Sequence, residues 1–163
     1  MNLVDKAKKI KLLLTDNDGV LTDTGVYYSE QGEELKRFSI RDGMGVVRLR
    51  EICKIETGII TGEKSGSVKK RAEKLQLKHL YLGINNKSIE LDKILLSNNL
   101  LPENIAYIGD DVNDIEIIKR AGLTASPNDA MDEVKEIVDY ICKNKGGNGA
   151  FREFAELIIT LQE

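Results

Sequence analysis

Short apolar runs recur along the chain, and most of them stop at a polar or glycine-containing cluster. Residues 11–15 run into Asp16, Asp18 and Gly19, and residues 55–60 run into Thr61 and Gly62. Residues 80–82 run into the turn chemistry of Gly83, Asn85 and Asn86, and residues 105–108 run into Gly109, Asp110 and Asp111. Continuous apolar runs of this length fit strands covered on both faces, as in a parallel sheet. Residues 123–125 and 139–142 predict two further short strands. Between the runs the apolar spacing changes to that of helices. Val46, Val47, Leu49 and Ile52 predict a helix over 44–52, after a loop at 39–43. Ser65 is placed to cap a helix running to about residue 75. Lys87 opens a helix with Ile89, Leu91, Ile94 and Leu95 on one face, ended by Asn99 and Pro102. Helices are also expected over 114–121, closed by Gly122, and over 129–137 and 150–161. Residues 2–9 read as a poorly ordered end or a short helical turn, and the glycine-rich 145–149 as a flexible loop.

Strands alternating with helices predict an α/β fold, a doubly wound, mostly parallel sheet. In such sheets ligands bind at the carboxyl ends of the strands. Four polar clusters fall at that end: Asp16/Asp18, Thr61/Gly62, Asn86/Lys87 and Asp110/Asp111. The one departure from alternation is at about residues 24–38. There two β-prone runs, 25–28 and 35–38, flank the polar turn 29–33 and predict a β-hairpin flap. An isolated hairpin is marginal in water. Tyr27, Tyr28 and Phe38 therefore need cover, either from a second copy or from the hairpin's own domain.

With 163 residues the chain is expected to form one domain, 1–163, with a sizeable core. A net charge of −3 offers no electrostatic footprint for nucleic acid. No apolar run is long enough to span a membrane, and the first residues lack the apolar stretch of a signal peptide. Cys53 and Cys142 match no metal spacing and read as small core residues, which points to a cytoplasmic setting. His79, the only histidine, reads as structural.

Two aspartates at the end of a covered strand need a reason, because unpaired buried charge is costly. One reading is a turn in which the acids cap backbone groups. The other is Mg²⁺, which prefers carboxylates, carbonyls and water. In that reading Asp16 is a candidate nucleophile, since carboxylates form aspartyl-phosphate intermediates. The cation offsets the repulsion between the carboxylate and a phosphate monoester. Asp110 is placed to complete the metal site, and Asp111 is a ligand or supports one. Asp114, one helical turn on, supports both. Lys87 would pair with the phosphate and with Asp16, or else be a solvated surface lysine. Thr61 and the N–H of Gly62 would donate to phosphate oxygens, or else form an ordinary ST-turn. Asp18 would protonate the leaving alkoxide and then deprotonate the hydrolytic water.

DxDGVLTD from Asp16, the Thr61-Gly62 strand end, Lys87, and Gly109-Asp110-Asp111 with Asp114 occur in this order. Together they resemble the four motifs of the haloacid dehalogenase superfamily of phosphatases. Ser39-Ile40-Arg41-Asp42-Gly43-Met44-Gly45 and the stretch from Gly146 to Glu153 narrow the likeness. They resemble the small, capless phosphatases of 3-deoxy-2-ulosonate sugar phosphates, over nearly the whole chain. The resemblance implies a Mg²⁺ site from Asp16, the backbone carbonyl of Asp18, and Asp110. It implies Asp16 as nucleophile and Asp18 as acid and base. It also implies a homotetramer in which the hairpin of one subunit helps close the site of another. Two positions depart from the usual pattern: Asn17 stands where the family has an apolar residue, and Asn86 where an aspartate is frequent.

The sugar is read from three residues. Glu63 follows Thr-Gly where octulosonate 8-phosphate phosphatases commonly carry arginine. Glu63 with Arg71 and Lys74 is similar to the nonulosonate 9-phosphate type. Arg71 and Lys74 share a helix face, and Arg71 suits bidentate pairing with the ulosonate carboxylate. The expectation is therefore a Mg²⁺-dependent phosphatase of a sialic-acid-type 2-keto-3-deoxy-nonulosonate 9-phosphate. The alternatives are 3-deoxy-D-manno-octulosonate 8-phosphate, a phosphotransferase, and a catalytically silent assembly module.

Overall fold

Six of the apolar runs form one sheet. The computed structural model describes residues 1–163. In chain order the elements are α1 (Leu3–Ala7), β1 (Leu12–Thr15), β2 (Thr22–Ser29), β3 (Gly32–Phe38) and α2 (Ile40–Cys53). Then come β4 (Glu56–Ile60), α3 (Gly66–Lys74), β5 (His79–Tyr81), α4 (Lys87–Asn98) and β6 (Ile105–Ile108). The last are α5 (Ile115–Ile118), β7 (Leu123–Ser126), α6 (Asp132–Lys135), β8 (Tyr140–Ile141) and α7 (Ala150–Gln162). The large sheet has the order β5-β4-β1-β6-β7-β8, and every pairing in it is parallel. From β1 the chain moves outward through β4 to β5, then crosses back to β6 on the other side of β1. The crevice where the strand order reverses thus lies beside β1, where α/β sheets bind ligands.

The strands are covered on both faces, as their continuous apolar runs require. Leu12 and Leu14 point to one face and pack with Ile60, Ile105, Tyr107 and the α4 residues Leu91 and Ile94. Leu13 points to the other and packs with Ile59, Ile108, Leu49 of α2, and Phe151 and Phe154 of α7. Helix α2 begins at Ile40, earlier than the apolar spacing alone predicts, because Ser39 caps it by accepting from the Asp42 N–H. Asp42 is itself buried and accepts from the Arg152 N–H (3.0 Å), which ties α2 to the start of α7. α5 and α6 are single turns, shorter than the expected helices over 114–121 and 129–137. A 3₁₀ turn at Val112–Asp114, capped by Asp111, takes the space before α5.

The hairpin is β2 paired antiparallel with β3, joined through Glu30 and Gln31. It is the only insertion between β1 and α2, and no cap domain is present. Its aromatic residues divide: Phe38 packs against the core, whereas Tyr27 and Tyr28 remain 65% and 72% exposed. Residues 145–149 differ from the flexible loop expected. Gly146 and Gly147 are buried, and the Gly147 N–H donates to Val20 O (2.8 Å). A Cβ on Gly146 would lie 1.8 Å from Gly19 O, so the loop presses directly on the turn after β1.

Gly147 has φ +67°, and a Cβ there would sit 2.4 Å from Asp23 N. Gly147→Ala is expected to lower unfolding stability by about 2 kcal/mol or more, from the left-handed penalty and the backbone clash together. Urea unfolding of the two proteins measures it.

Candidate active site

The turn after β1 brings Asp16 to the sheet's carboxyl edge, and the turn after β6 brings Asp110 beside it. Gly19, at φ +89°, makes this approach possible: a Cβ there would lie 1.8 Å from Asp110 Oδ2. Asp16 is buried. Its Oδ1 accepts from the Asn17 N–H (2.7 Å) and lies 3.1 Å from Lys87 Nζ. Lys87, the first residue of α4, is buried too, and donates to Asp114 Oδ1 (2.6 Å) and the Tyr107 hydroxyl (3.2 Å). The Tyr107 O–H donates to the same Asp114 oxygen (2.5 Å). Asp114 Oδ2 accepts from the N–H groups of Asp110 (2.9 Å) and Asp111 (3.2 Å).

Carboxylate oxygens of Asp16, Asp110 and Asp114 lie within 4.8 Å of one another. They are not equivalent. Both oxygens of Asp114 are taken by donors within the chain, so it is a scaffold for Lys87 and the β6 turn. Asp110 Oδ1 is buried with no hydrogen-bond partner, and no donor of the chain meets Asp16 Oδ2. An orphaned carboxylate oxygen beside a second free one is what a hard divalent cation requires, and these residues fit Mg²⁺. The electrostatics agree. Burial and the nearby Asp114 charge push Asp16 up to about 7, against the pull of Lys87. Burial and the charges of Asp16, Asp114 and Asp111 push Asp110 up to about 8. Burial opposes the charge on Lys87, but Asp16 and Asp114 outweigh it and hold its pKa above the ordinary lysine value.

These residues open on a cleft of about 280 Å³ with no apolar residue in its lining. Asp16, Asp18, Thr61, Gly62, Glu63, Asp110 and Asp111 line it, all expected from the sequence. Asp111 turns its side chain to the Val112 N–H (2.7 Å) and caps the 3₁₀ turn, outside the acidic cluster. Thr61 accepts from the Glu63 N–H (3.3 Å), which leaves its own O–H free to donate. Asp18 is held by Lys36 of β3 at 2.7 and 3.0 Å. Arg71 and Lys74 are not brought to this cleft. They line a separate, mainly apolar groove with Ile40, Met44 and Val47. Arg71 there donates to Ser39 O (2.9 Å) and lies over the Phe38 ring.

Sequence reasoning missed Thr24 and Asn113, which also line the cleft, and Tyr107 and Lys36 behind it. The one available signal was the tyrosine in the otherwise aliphatic run 105–108. Both departures from the family pattern have a local role. Asn86 caps α4 by accepting from the Ile89 N–H (3.0 Å), and Asn17 donates to Asp18 Oδ1 (3.3 Å).

Residues 83–154 match the family model for haloacid dehalogenase-like hydrolases. The chain is 40% identical, over 99% of its length and 85% of the relative's, to the 3-deoxy-D-manno-octulosonate 8-phosphate phosphatase of Escherichia coli. The enzyme of that name from Moraxella catarrhalis, solved with magnesium, phosphate and 3-deoxy-D-manno-octulosonate (KDO), is also similar. It superposes with a TM-score of 0.93 at 36% identity, covering 98% of this chain and 91% of that one. The cobalt-bound phosphatase of Haemophilus influenzae gives 0.93 at 34% identity, covering 96% and 91%.

In the metal-free folded chain Asp16 and Asp110 keep protons that the unfolded chain releases near pH 3.8. The folded state therefore binds more protons between about pH 4 and pH 8, and its stability falls as pH rises through that window. Mg²⁺ competes with those protons. The Mg²⁺-induced rise in Tm is expected to be larger at pH 8 than at pH 6, read by differential scanning fluorimetry. In Gly19→Ala, where the added methyl displaces Asp110, the Mg²⁺-induced rise is expected to vanish at both pH values.

Proposed function

The chain belongs to the haloacid dehalogenase-like hydrolases and is a Mg²⁺-using phosphoric monoester hydrolase, and from that premise we propose that it releases phosphate from 3-deoxy-D-manno-octulosonate 8-phosphate. The observation that carries the chemistry is Asp16: one oxygen gripped by its own N–H neighbour and Lys87, the other free and facing a wholly polar cleft. The Asp16 carboxylate attacks phosphorus through one oxygen, and the bond to the sugar oxygen breaks. Asp18 gives its proton to that oxygen, because a sugar alkoxide is a poor leaving group. Asp18 then takes a proton from the water that hydrolyses the aspartyl phosphate, and the Asp16 carboxylate is restored. Lys87, the Thr61 hydroxyl and the Gly62 N–H hold the phosphate oxygens. Mg²⁺, held by Asp16, Asp110 and the Asp18 carbonyl, would offset the repulsion between nucleophile and phosphate.

The eight-carbon substrate is favoured by the names of the relatives at 34–40% identity over nearly the whole chain. The nine-carbon nonulosonate 9-phosphate remains a second reading through Glu63, which lines the cleft. Arg71 and Lys74 lend it no direct support, since they face another groove.

We propose also that the enzyme is a cytoplasmic homotetramer in which the hairpin is covered by another copy. Tyr27, Tyr28 and Leu35 on the hairpin, and Ile40 beside it, are all more than half exposed. No helix is long and apolar enough to cross a membrane.

Steady-state phosphate release with Mg²⁺ tests the substrate. The kcat/KM for octulosonate 8-phosphate is expected to exceed that for nonulosonate 9-phosphates by about tenfold or more, 1.4 kcal/mol in transition-state binding. The reverse order would install the nine-carbon reading. Asp16→Asn is expected to lower kcat by at least about 10³-fold on either. Sedimentation velocity of the wild type is expected to give the mass of four chains, and a single-chain mass would remove the tetramer.

A further inference from the structure

Lys36 stands on the hairpin among exposed neighbours, yet its side chain is only 1% exposed. Its ammonium donates to both oxygens of Asp18, at 2.7 and 3.0 Å, and lies 3.1 Å from Glu33 Oε1. The other Glu33 oxygen accepts from the Ser65 hydroxyl (2.5 Å), and Ser65 in turn accepts from the Val68 N–H at the start of α3 (3.3 Å). Four side chains therefore run without a break from the turn after β1, across the hairpin, to the loop that carries Thr61, Gly62 and Glu63.

Stability alone is a poor reason for this arrangement. A covered ion pair is often matched or bettered by apolar side chains of similar volume, because desolvation cancels much of the attraction. An apolar residue at position 36 would anchor the hairpin as well. What an apolar residue cannot do is fix the direction of a carboxylate. Asp18 is 28% exposed on a turn and has several rotamers open to it. Two short contacts from one ammonium select one of them. A protonated Asp18 can still accept from Lys36 with one oxygen while the other faces the leaving group.

We propose that Lys36 is a positioning residue for the phosphatase reaction: from the hairpin it aims the Asp18 carboxyl into the cleft, and through Glu33 and Ser65 it locks the hairpin to the phosphate-binding loop. This rests on Asp18 being the proton donor to the leaving oxygen. The experiment separates the two ideas by leaving group. A sugar alkoxide needs a proton as the P–O bond breaks, whereas p-nitrophenolate does not.

Phosphate release is measured on octulosonate 8-phosphate and on p-nitrophenyl phosphate for wild type, Asp18→Asn, Lys36→Met and the double variant. Asp18→Asn is expected to lose about 10²–10⁴-fold in kcat on the sugar phosphate and far less on the aryl ester. Lys36→Met is expected to lose about tenfold or more on the sugar phosphate with KM within about threefold, to lose little on the aryl ester, and to add nothing in the Asp18→Asn background. Equal losses on both esters, or additive losses in the double variant, would overturn the role of Lys36. An unselective Asp18→Asn would overturn the proton-donor reading itself, and the proposal with it. Should Lys36→Met fail to fold, Lys36→Gln keeps the length and one donor. The same selective loss, smaller in size, is expected from it, and an unselective loss would count against the proposal.

Discussion

Three carboxylates share the carboxyl edge of β1 and β6, and the rest of the site is arranged around making that crowding tolerable. Like charges at this separation, out of water, cannot all stay ionised without help. Lys87 supplies one positive charge, and it is committed twice, to Asp16 and to Asp114. Tyr107 and two backbone N–H groups complete Asp114, so that one acid is satisfied from within. Asp16 and Asp110 are left short, with pKa values pushed to about 7 and about 8. The deficit is the functional feature, because a protein that satisfied all three would have no use for a cation.

The parallel sheet explains why the deficit falls where it does. Register places Thr15 of β1 beside Ile59 of β4 and Ile108 of β6, so all three strands end at nearly the same height. Each is followed at once by its polar cluster, and the clusters converge with no long loop to position them. Backbone must then pass close to side chain. Gly19 lies against Asp110, Gly109 against Asp114, and Gly146 against the Gly19 carbonyl. The glycines at these turns are there for the space they leave, and a single methyl at 19 or 146 would meet an atom at 1.8 Å.

Much of this was legible in the chain, for a physical reason. A run covered on both faces must be apolar throughout, so the point where it meets an aspartate marks a strand end facing a ligand. That logic located Asp16, Asp18, Thr61, Gly62, Lys87 and Asp110 together. It failed where placement depends on packing between distant segments. Residues 145–149 read as flexible because glycine is permissive, but here the same residues allow close approach to the turn after β1. Lys36 was not singled out, since alternation cannot say which side of a two-stranded ribbon meets the sheet. Arg71 and Lys74 do share a helix face, as their spacing requires, but α3 turns that face toward α2 and away from the cleft. Sequence spacing tells which residues look the same way, and only the packing of the helix tells where.

The same contrast bears on the choice of substrate. The cleft beside Asp16 is entirely polar, as a phosphate ester demands. The sugar end is another matter. Glu63 is the only residue of the expected sugar-binding set that lines the cleft. A single chain thus specifies the bond to be broken far more tightly than the molecule that carries it. If discrimination between eight- and nine-carbon sugars is built into this chain, Glu63 is the one expected contact already at the cleft. The Lys36 bridge is the part of the fold that ties the hairpin to Asp18.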